Sequence, residues 1–506
     1  MARHGIEANR RLLAAVLVLV VAGNAAGAMI VEIVAGRLLA PYFGMSLHTW
    51  TTVIGVVLSG LAIGHWLGGR LADAYPENRA AALGLACLAG AVTTVLILPA
   101  VGLVAGSLSV AGVPLATATI VAGFAAFLIP SITAGLVQPM ATTYALETMG
   151  AGAGRIVGRM LAAGVVGAIL GTFLAGFVLI AHLGSAGSIW LVAAGNALLG
   201  AGLVSAARQR AAALALFALA SSIVVTGAAP PGFAVPCDRE SHYFCISVFA
   251  GDERNLPDAR MLRLDALTHS VNHPDPGYLA FTHLQWMDEL AYQRFGTAPF
   301  SAFFIGGGGY TLPRTWLARN PDTAITVAEL DPEVTAIAEA ALWFEPGPQT
   351  RILHTDARLA LRRDLRDARF DVIVGDAFRD IALPPHLITD EFHALVESRL
   401  TADGFYVLNI IDAVAARRLI GSVVETLRPH FSVIEVWYDS AAYQTAQHIN
   451  FIVYAASRPT GLASPLDART APATRWERLR PEAMADVPGA VFLTDDFTPV
   501  ERLFAR

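Results

Sequence analysis

Residues 303–316 read FFIGGGGYTLPRTW. An apolar run ends at Ile305, four glycines follow, and TLPRTWLARN then has the composition of a helix. Strand, bare turn and helix in that order are the opening of a βαβ unit. Glycine at such a turn lets a ligand lie directly against the backbone and permits positive φ. No GK[ST] follows, so a P-loop is excluded.

Downstream, the alternation continues. AITVAELD reads as strand, PEVTAIAEAAL as helix, RILHTD as strand and ARLALRRDL as helix; FDVIVGDA is then strand, ITDEFHALVESRL helix and GFYVLNI strand. Strands separated by helical stretches of this kind predict a mostly parallel sheet. Upstream, HYFCISVFA and ARMLRLDAL have strand character and predict a small β unit.

Ligands of open parallel sheets sit at the carboxyl ends of the strands. Glu329 ends the second strand, where a carboxylate can accept hydrogen bonds from ribose hydroxyls. Asp356 ends the third and is placed to accept from an adenine amino group, while Asp376 ends the fourth, facing the reaction centre. Carboxylates at successive strand tips suit an adenosine that carries a positive sulfonium. A dinucleotide asks for the opposite charge beside its pyrophosphate.

The composition divides the chain in two. It has 506 residues, 55% of them hydrophobic and only 15% charged, where a soluble protein carries nearer a quarter. Up to Pro230 there are 10 arginines and 5 acidic residues; beyond it 25 basic residues face 36 acidic ones. An acidic soluble part argues against nucleic acid, which needs a basic footprint. It is compatible with a cationic small molecule. Before Pro230 lie apolar runs at about 12–35, 48–68, 80–104, 112–138, 156–182, 187–206 and 211–228. Each is long enough for a hydrocarbon core about 30 Å thick, which predicts seven spans in a domain over 1–230. A small β unit is expected over 231–285 and a Rossmann-like, methyltransferase-type domain over 286–506.

Gly55, Gly60, Gly64 and Gly68, and again Gly164, Gly167, Gly171 and Gly176, recur at spacings that let helix backbones approach closely. Glu32 lies inside the first run, which predicts an ion pair, with Arg37 nearby, or a polar cavity. Cys237 and Cys245 are close enough for a small-loop disulfide in an oxidising compartment, or are small buried hydrophobes otherwise. Arg3, Arg10, Arg11, Arg70, Arg79, Arg155, Arg159, Arg208 and Arg210 all fall on one side of alternating spans, which marks that side as cytoplasmic.

ESHYFCISV, LRLDALTHSV, FIGGGGYTL, VAELDPEV, HTDAR, FDVIVGDAF and PPHLITDEF, in order from Cys237 to Ala455, resemble the spermidine synthase (polyamine aminopropyltransferase) family in its membrane-fused bacterial form. The resemblance implies that Gly306, Gly307, Gly308, Gly309, Glu329, Asp356 and Ala357 hold the adenosyl part of decarboxylated S-adenosylmethionine. That molecule is a co-substrate, and no permanent cofactor or metal is implied. Asp376 matches the first acid of the family's amine loop and Tyr278 its substrate-side Tyr, both in catalytic roles. His269 stands in the position of a Gln; with His283 and Asp380 it is expected on the amine side. A polyamine acceptor, a multi-pass bacterial inner-membrane location and a homodimer follow by likeness.

The chain departs from the family in the glycine loop and at the amine site. GGGDGGT is GGGGYT here, the second loop acid is Arg379, and Ala280 stands where a Glu follows the Tyr by two. An S-adenosylmethionine-dependent transferase with another acceptor is therefore an alternative. So is a non-catalytic polyamine- or nucleoside-binding domain on a transporter-like membrane module. Seven spans would put the soluble part outside the cytoplasm, whereas adenosyl-sulfonium donors are cytoplasmic.

Overall fold

The computed structural model describes residues 2–149, 152–204, 232–251, 256–378, 383–470 and 474–504. The seventh apolar run (211–228), Arg379 and Asp380 lie outside the described residues. The chain forms two compact units, Met1–Cys245 and Ile246–Arg506.

Among the described residues of the first unit, five helical stretches are long and apolar enough to cross a bilayer. They are built from α1 (Ala2–Phe43), α2 (Leu47–Ala74), α3 (Arg79–Val95, continued by further turns to Val110), α4 (Leu115–Met149), and α5 (Ala153–Leu174) with α6 (Ile180–Leu203). The fifth stretch, Ala153–Leu203, has 51 residues, about 75 Å at 1.5 Å per residue and more than twice a hydrocarbon core. It breaks at Gly184, whose φ of 67° and ψ of −177° no helix accommodates. The legs on either side run in opposite directions. Gly167 and Gly171 of α5 meet Ala22 and Ala26 of α1 in parallel order, whereas Leu199 and Val192 of α6 meet Gly23 and Gly27 in reverse. The expected fifth and sixth spans are thus one helical stretch folded at a glycine.

Close approach explains most of the glycines. A Cβ on Gly60 would come within 2.9 Å of the Leu128 carbonyl, and one on Gly68 within 2.7 Å of Pro139. On Gly64 it would strike the Ile132 carbonyl and lie 2.8 Å from the Gly135 Cα. Gly55 and Gly176 face open space, so the sequence spacing overstates both seams. Gly64→Leu is expected to lower the stability of this unit by about 3 kcal/mol through overpacking of α2 on α4. Thermal unfolding of the full chain in detergent measures it, and a midpoint equal to the parent's would refute the close-packed seam.

The two cysteines are bridged, Cys237 to Cys245. The loop they close is pinned to the helices. Arg37 donates to the carbonyls of Ser241 at 2.7 Å and His242 at 3.0 Å. Glu240 accepts from the Ser185 amide at 2.7 Å and its hydroxyl at 2.6 Å, just beyond the Gly184 break. Arg37 is therefore committed to this loop rather than to Glu32.

In the second unit β1 (Cys245–Ala250), β2 (Arg260–Leu264) and β3 (Leu267–Asn272) form an antiparallel sheet. After α7 (Thr282–Phe295) the chain alternates strand and helix. The elements are β4 (Ser301–Ile305), α8 (Thr311–Arg319), β5 (Ala324–Ala328), α9 (Pro332–Ala341), β6 (Thr350–Leu353), α10 (Ala357–Arg362), β7 (Phe370–Gly375), α11 (Asp390–Glu397) and β8 (Leu400–Ala413). Then come α12 (Arg418–Leu427), β9 (Val433–Asp439), β10 (His448–Ala456), β11 (Leu466–Asp467) and β12 (Arg475–Arg478). The sheet order is β11-β12-β9-β10-β8-β7-β4-β5-β6, parallel from β6 to β8 and antiparallel beyond. This is the Rossmann-like arrangement the alternation predicts. From β4 the chain moves outward to β5 and β6, then returns to β7 on the other flank. That reversal opens a crevice at the tips of β4 and β7, where ligands of such sheets bind. The C-terminal residues Met484, Val487, Leu493, Val500 and Leu503 pack into the main core as a cap. Asp495 pairs with Arg358 at 2.6 Å.

Candidate active site

The crevice is real: a cavity of about 320 Å³ opens where the tips of β4 and β7 diverge. The glycine turn forms its floor. Gly306 and Gly308 have φ of 92° and 51°, conformations that a side chain strains. A Cβ on Gly309 would strike the Ser270 hydroxyl of β3 and lie 2.7 Å from its Cβ. Asn272, fully buried, donates to the Gly309 carbonyl at 2.7 Å and fixes the turn from the other side. Tyr310 closes the turn at φ 53°, its ring stacked 4.1 Å from Phe344 and its hydroxyl 2.6 Å from Thr335.

Asp376 follows β7 and faces the cavity, with 27% of its side chain exposed. Its Oδ1 accepts from Asn409 of β8 at 2.9 Å, and the Asn409 oxygen accepts from Asn450 of β10 at 2.8 Å. Its Oδ2 lies 3.6 Å from Nε2 of His283, in the first turn of α7. Burial alone would raise this carboxyl. The contacts with His283 and Asn409 and the proximity of His269 outweigh it, holding Asp376 below the usual carboxylate range. His269, on β3, also lines the cavity.

The structure brings Gly306, Gly307, Gly308, Gly309, Asp376, His269 and His283 together in one lining. It sends four other expected residues elsewhere. Glu329 turns its carboxylate under the glycines, accepting from the amides of Gly307 at 2.8 Å, Gly308 at 3.3 Å and Asp331 at 2.9 Å. It shapes the turn from within, and burial raises its pKa. Asp356 caps α10 through the Leu359 amide at 3.0 Å and bonds Nε2 of His386 at 2.7 Å. Ala357 is buried in the core as the first residue of α10. Tyr278 lies against His273, ring centroids 4.9 Å apart, outside the described lining. Sequence reading missed Asn409 and Asn450. The signal was there for the first, a polar residue interrupting the apolar strand GFYVLNI.

No family model matches the chain. A polyamine aminopropyltransferase of Vibrio vulnificus is 34% identical over 121 residues, 24% of this chain and 40% of that protein. Over those residues the chain is similar in sequence to a polyamine aminopropyltransferase. A probable polyamine aminopropyl transferase of Bifidobacterium longum is 29% identical over 161 residues, 31% of this chain and 34% of that one. The chain thus spans about two fifths and one third of these curated relatives. A probable spermidine synthase of Corynebacterium glutamicum superposes with a TM-score of 0.43 at 19% identity, covering 51% of this chain and 95% of that one.

The titratable groups of the described lining are His269, His283 and Asp376. Burial pushes His269 down to about 4, against a partial pull upward from Asp376. His393, fully buried on α11 with no hydrogen-bond partner on either ring nitrogen, is pushed down to about 3 by burial and by His430. The native state therefore binds these two protons only in strong acid, whereas the unfolded chain binds them near pH 6.5. Stability is full above that pH and falls as pH drops towards 4, by about 2 kcal/mol per histidine at pH 5. Unfolding of the full chain in detergent at pH 7 and pH 5, followed by tryptophan fluorescence, checks this. A midpoint no lower at pH 5 would contradict it.

Proposed function

We propose that the second unit binds decarboxylated S-adenosylmethionine across the glycine turn and transfers its aminopropyl group to an amine, releasing methylthioadenosine. The observation that carries this reading is Asp376, fixed by Asn409 and opening into the same cleft as Gly306–Gly309. The backbone admits the adenosyl moiety closely, and the carboxylate favours a cation at the attacking position. Holding donor and amine in line is most of the catalysis, because a bimolecular displacement becomes effectively unimolecular. The nitrogen lone pair forms the new C–N bond as the C–S pair collapses onto sulfur, turning a sulfonium into a neutral thioether. Incubation of the purified full chain with labelled donor and a panel of amines tests the proposal. Methylthioadenosine release supports it, and no release with any amine refutes it.

The first unit is the membrane anchor in this reading, multi-pass in a bacterial inner membrane. Its ends differ in charge. Arg10, Arg11, Arg70, Arg79, Arg155 and Arg159 cluster at one end of the antiparallel helices and Arg37 stands near the other. The positive-inside rule assigns the arginine-rich end to the cytoplasm. The bridged loop 237–245 is pinned at the opposite end, and disulfides persist in oxidising compartments. These two observations favour a second reading: a unit facing outwards, whose cleft captures an amine or nucleoside without turnover. A C-terminal reporter active on only one side of the membrane separates the readings. An extracytoplasmic signal together with a protein inert towards every amine favours the second.

A further inference from the structure

We infer that His283 is a catalytic residue: it accepts the proton of the incoming ammonium while Asp376 holds the charge. The inference rests on the aminopropyl-transfer reading and concerns how the amine is made nucleophilic.

An amine with a pKa near 10 arrives protonated and cannot attack until it loses a proton. Asp376 is a poor acceptor, because its carboxylate is stabilised by its neighbours. Tyr278 sits against His273 and outside the lining. His269 is committed to the neutral form and is a very weak base. Of the titratable groups in the described lining, His283 is left, and its Nε2 faces the Asp376 carboxylate.

The geometry is that of a two-point cradle. Nε2 of His283 and Oδ2 of Asp376 are 3.6 Å apart, too far for a hydrogen bond to each other. One ammonium nitrogen can sit about 2.8–3.0 Å from both. Asp376 cannot swing away to close the gap, because Oδ1 is anchored through Asn409 to Asn450. The His283 ring is packed on Phe281 at 5.5 Å with 11% of its side chain exposed. In the step, the ammonium gives one proton to His283, its freed lone pair bonds to the propyl carbon, and the C–S electrons leave with sulfur. Imidazolium then releases the proton to solvent.

The test is the pH–rate profile of methylthioadenosine release by the full chain at saturating donor, for the parent and for His283→Gln. The variant is expected to be about 100-fold slower at pH 7, with a rate that climbs tenfold per pH unit towards the pKa of the amine. It is expected to recover to within about fivefold of the parent when the acceptor is an amine of pKa near 6, which needs no base. A merely structural role would depress both amines equally. Donor affinity and thermal midpoint report folding, and His283→Asn serves if the Gln variant is unstable. Parent-like rates with the high-pKa amine, or no recovery with the low-pKa amine, overturn the inference while the transfer reading stands. A parent inert towards every amine overturns both.

Discussion

Asp376→Asn is expected to lower methylthioadenosine release by about a thousandfold, at the upper end for loss of a preorganised electrostatic partner, and to change donor affinity less than tenfold. The substitution removes one charge and little else. The new amide oxygen can still accept from Asn409, so the Asn409–Asn450 ladder across β8 and β10 survives. The glycine turn does not touch this carboxylate, and its own support comes from Glu329 and Asn272. What disappears is the only carboxylate among the described lining residues, and with it the attraction that seats an ammonium beside His283. Single-turnover rates and donor binding, measured on the same preparation, separate the two effects. A fall of less than fivefold would remove Asp376 from the reaction centre.

Gly309→Ala acts on the other half of the site. Its methyl group would overlap the Ser270 hydroxyl and come within 2.7 Å of the Ser270 Cβ and 3.1 Å of the Asn272 oxygen. Ser270 and Asn272 are both buried on β3, and Asn272 is held by its bonds to the Gly309 and Leu342 carbonyls. Overpacking of this kind costs about 1–3 kcal/mol. Relief requires the turn to move into the space the donor needs, so donor affinity is expected to fall about 100-fold. Ser270→Gly in the same chain removes the colliding atoms and is expected to restore most of the binding, a non-additivity that marks direct contact. Donor binding unchanged in Gly309→Ala would show that the turn is not the donor's seat.

Particular residues show how far the sequence reached. The alternation from Ser301 onward predicted β4 to β8 and their parallel order, because a two-residue period and a helical period are written within a few positions of each other. Among the described residues, the apolar runs predict the six membrane-type legs, since length and apolarity are local sums. The fold at Gly184 was not predicted, because a glycine within a helical pattern reads as tolerated as often as broken. The bridge between Cys237 and Cys245 stayed open for a related reason: eight residues apart, the pair is compatible with two outcomes until the loop between them is pinned.

By itself the sequence determined that an apolar helical part precedes an α/β part, and that a bare turn and three acids stand at successive strand tips. Tertiary structure alone decided what those acids do. Glu329 meets Gly307 22 residues away, Asp356 meets His386 across 30 and Asp376 meets Asn409 across 33. A strand places each acid by neighbours one or two positions distant, but its side chain turns to whichever distant partner offers a donor. So one carboxylate supports the turn, one caps a helix and pairs with a histidine, and one is left facing the cleft.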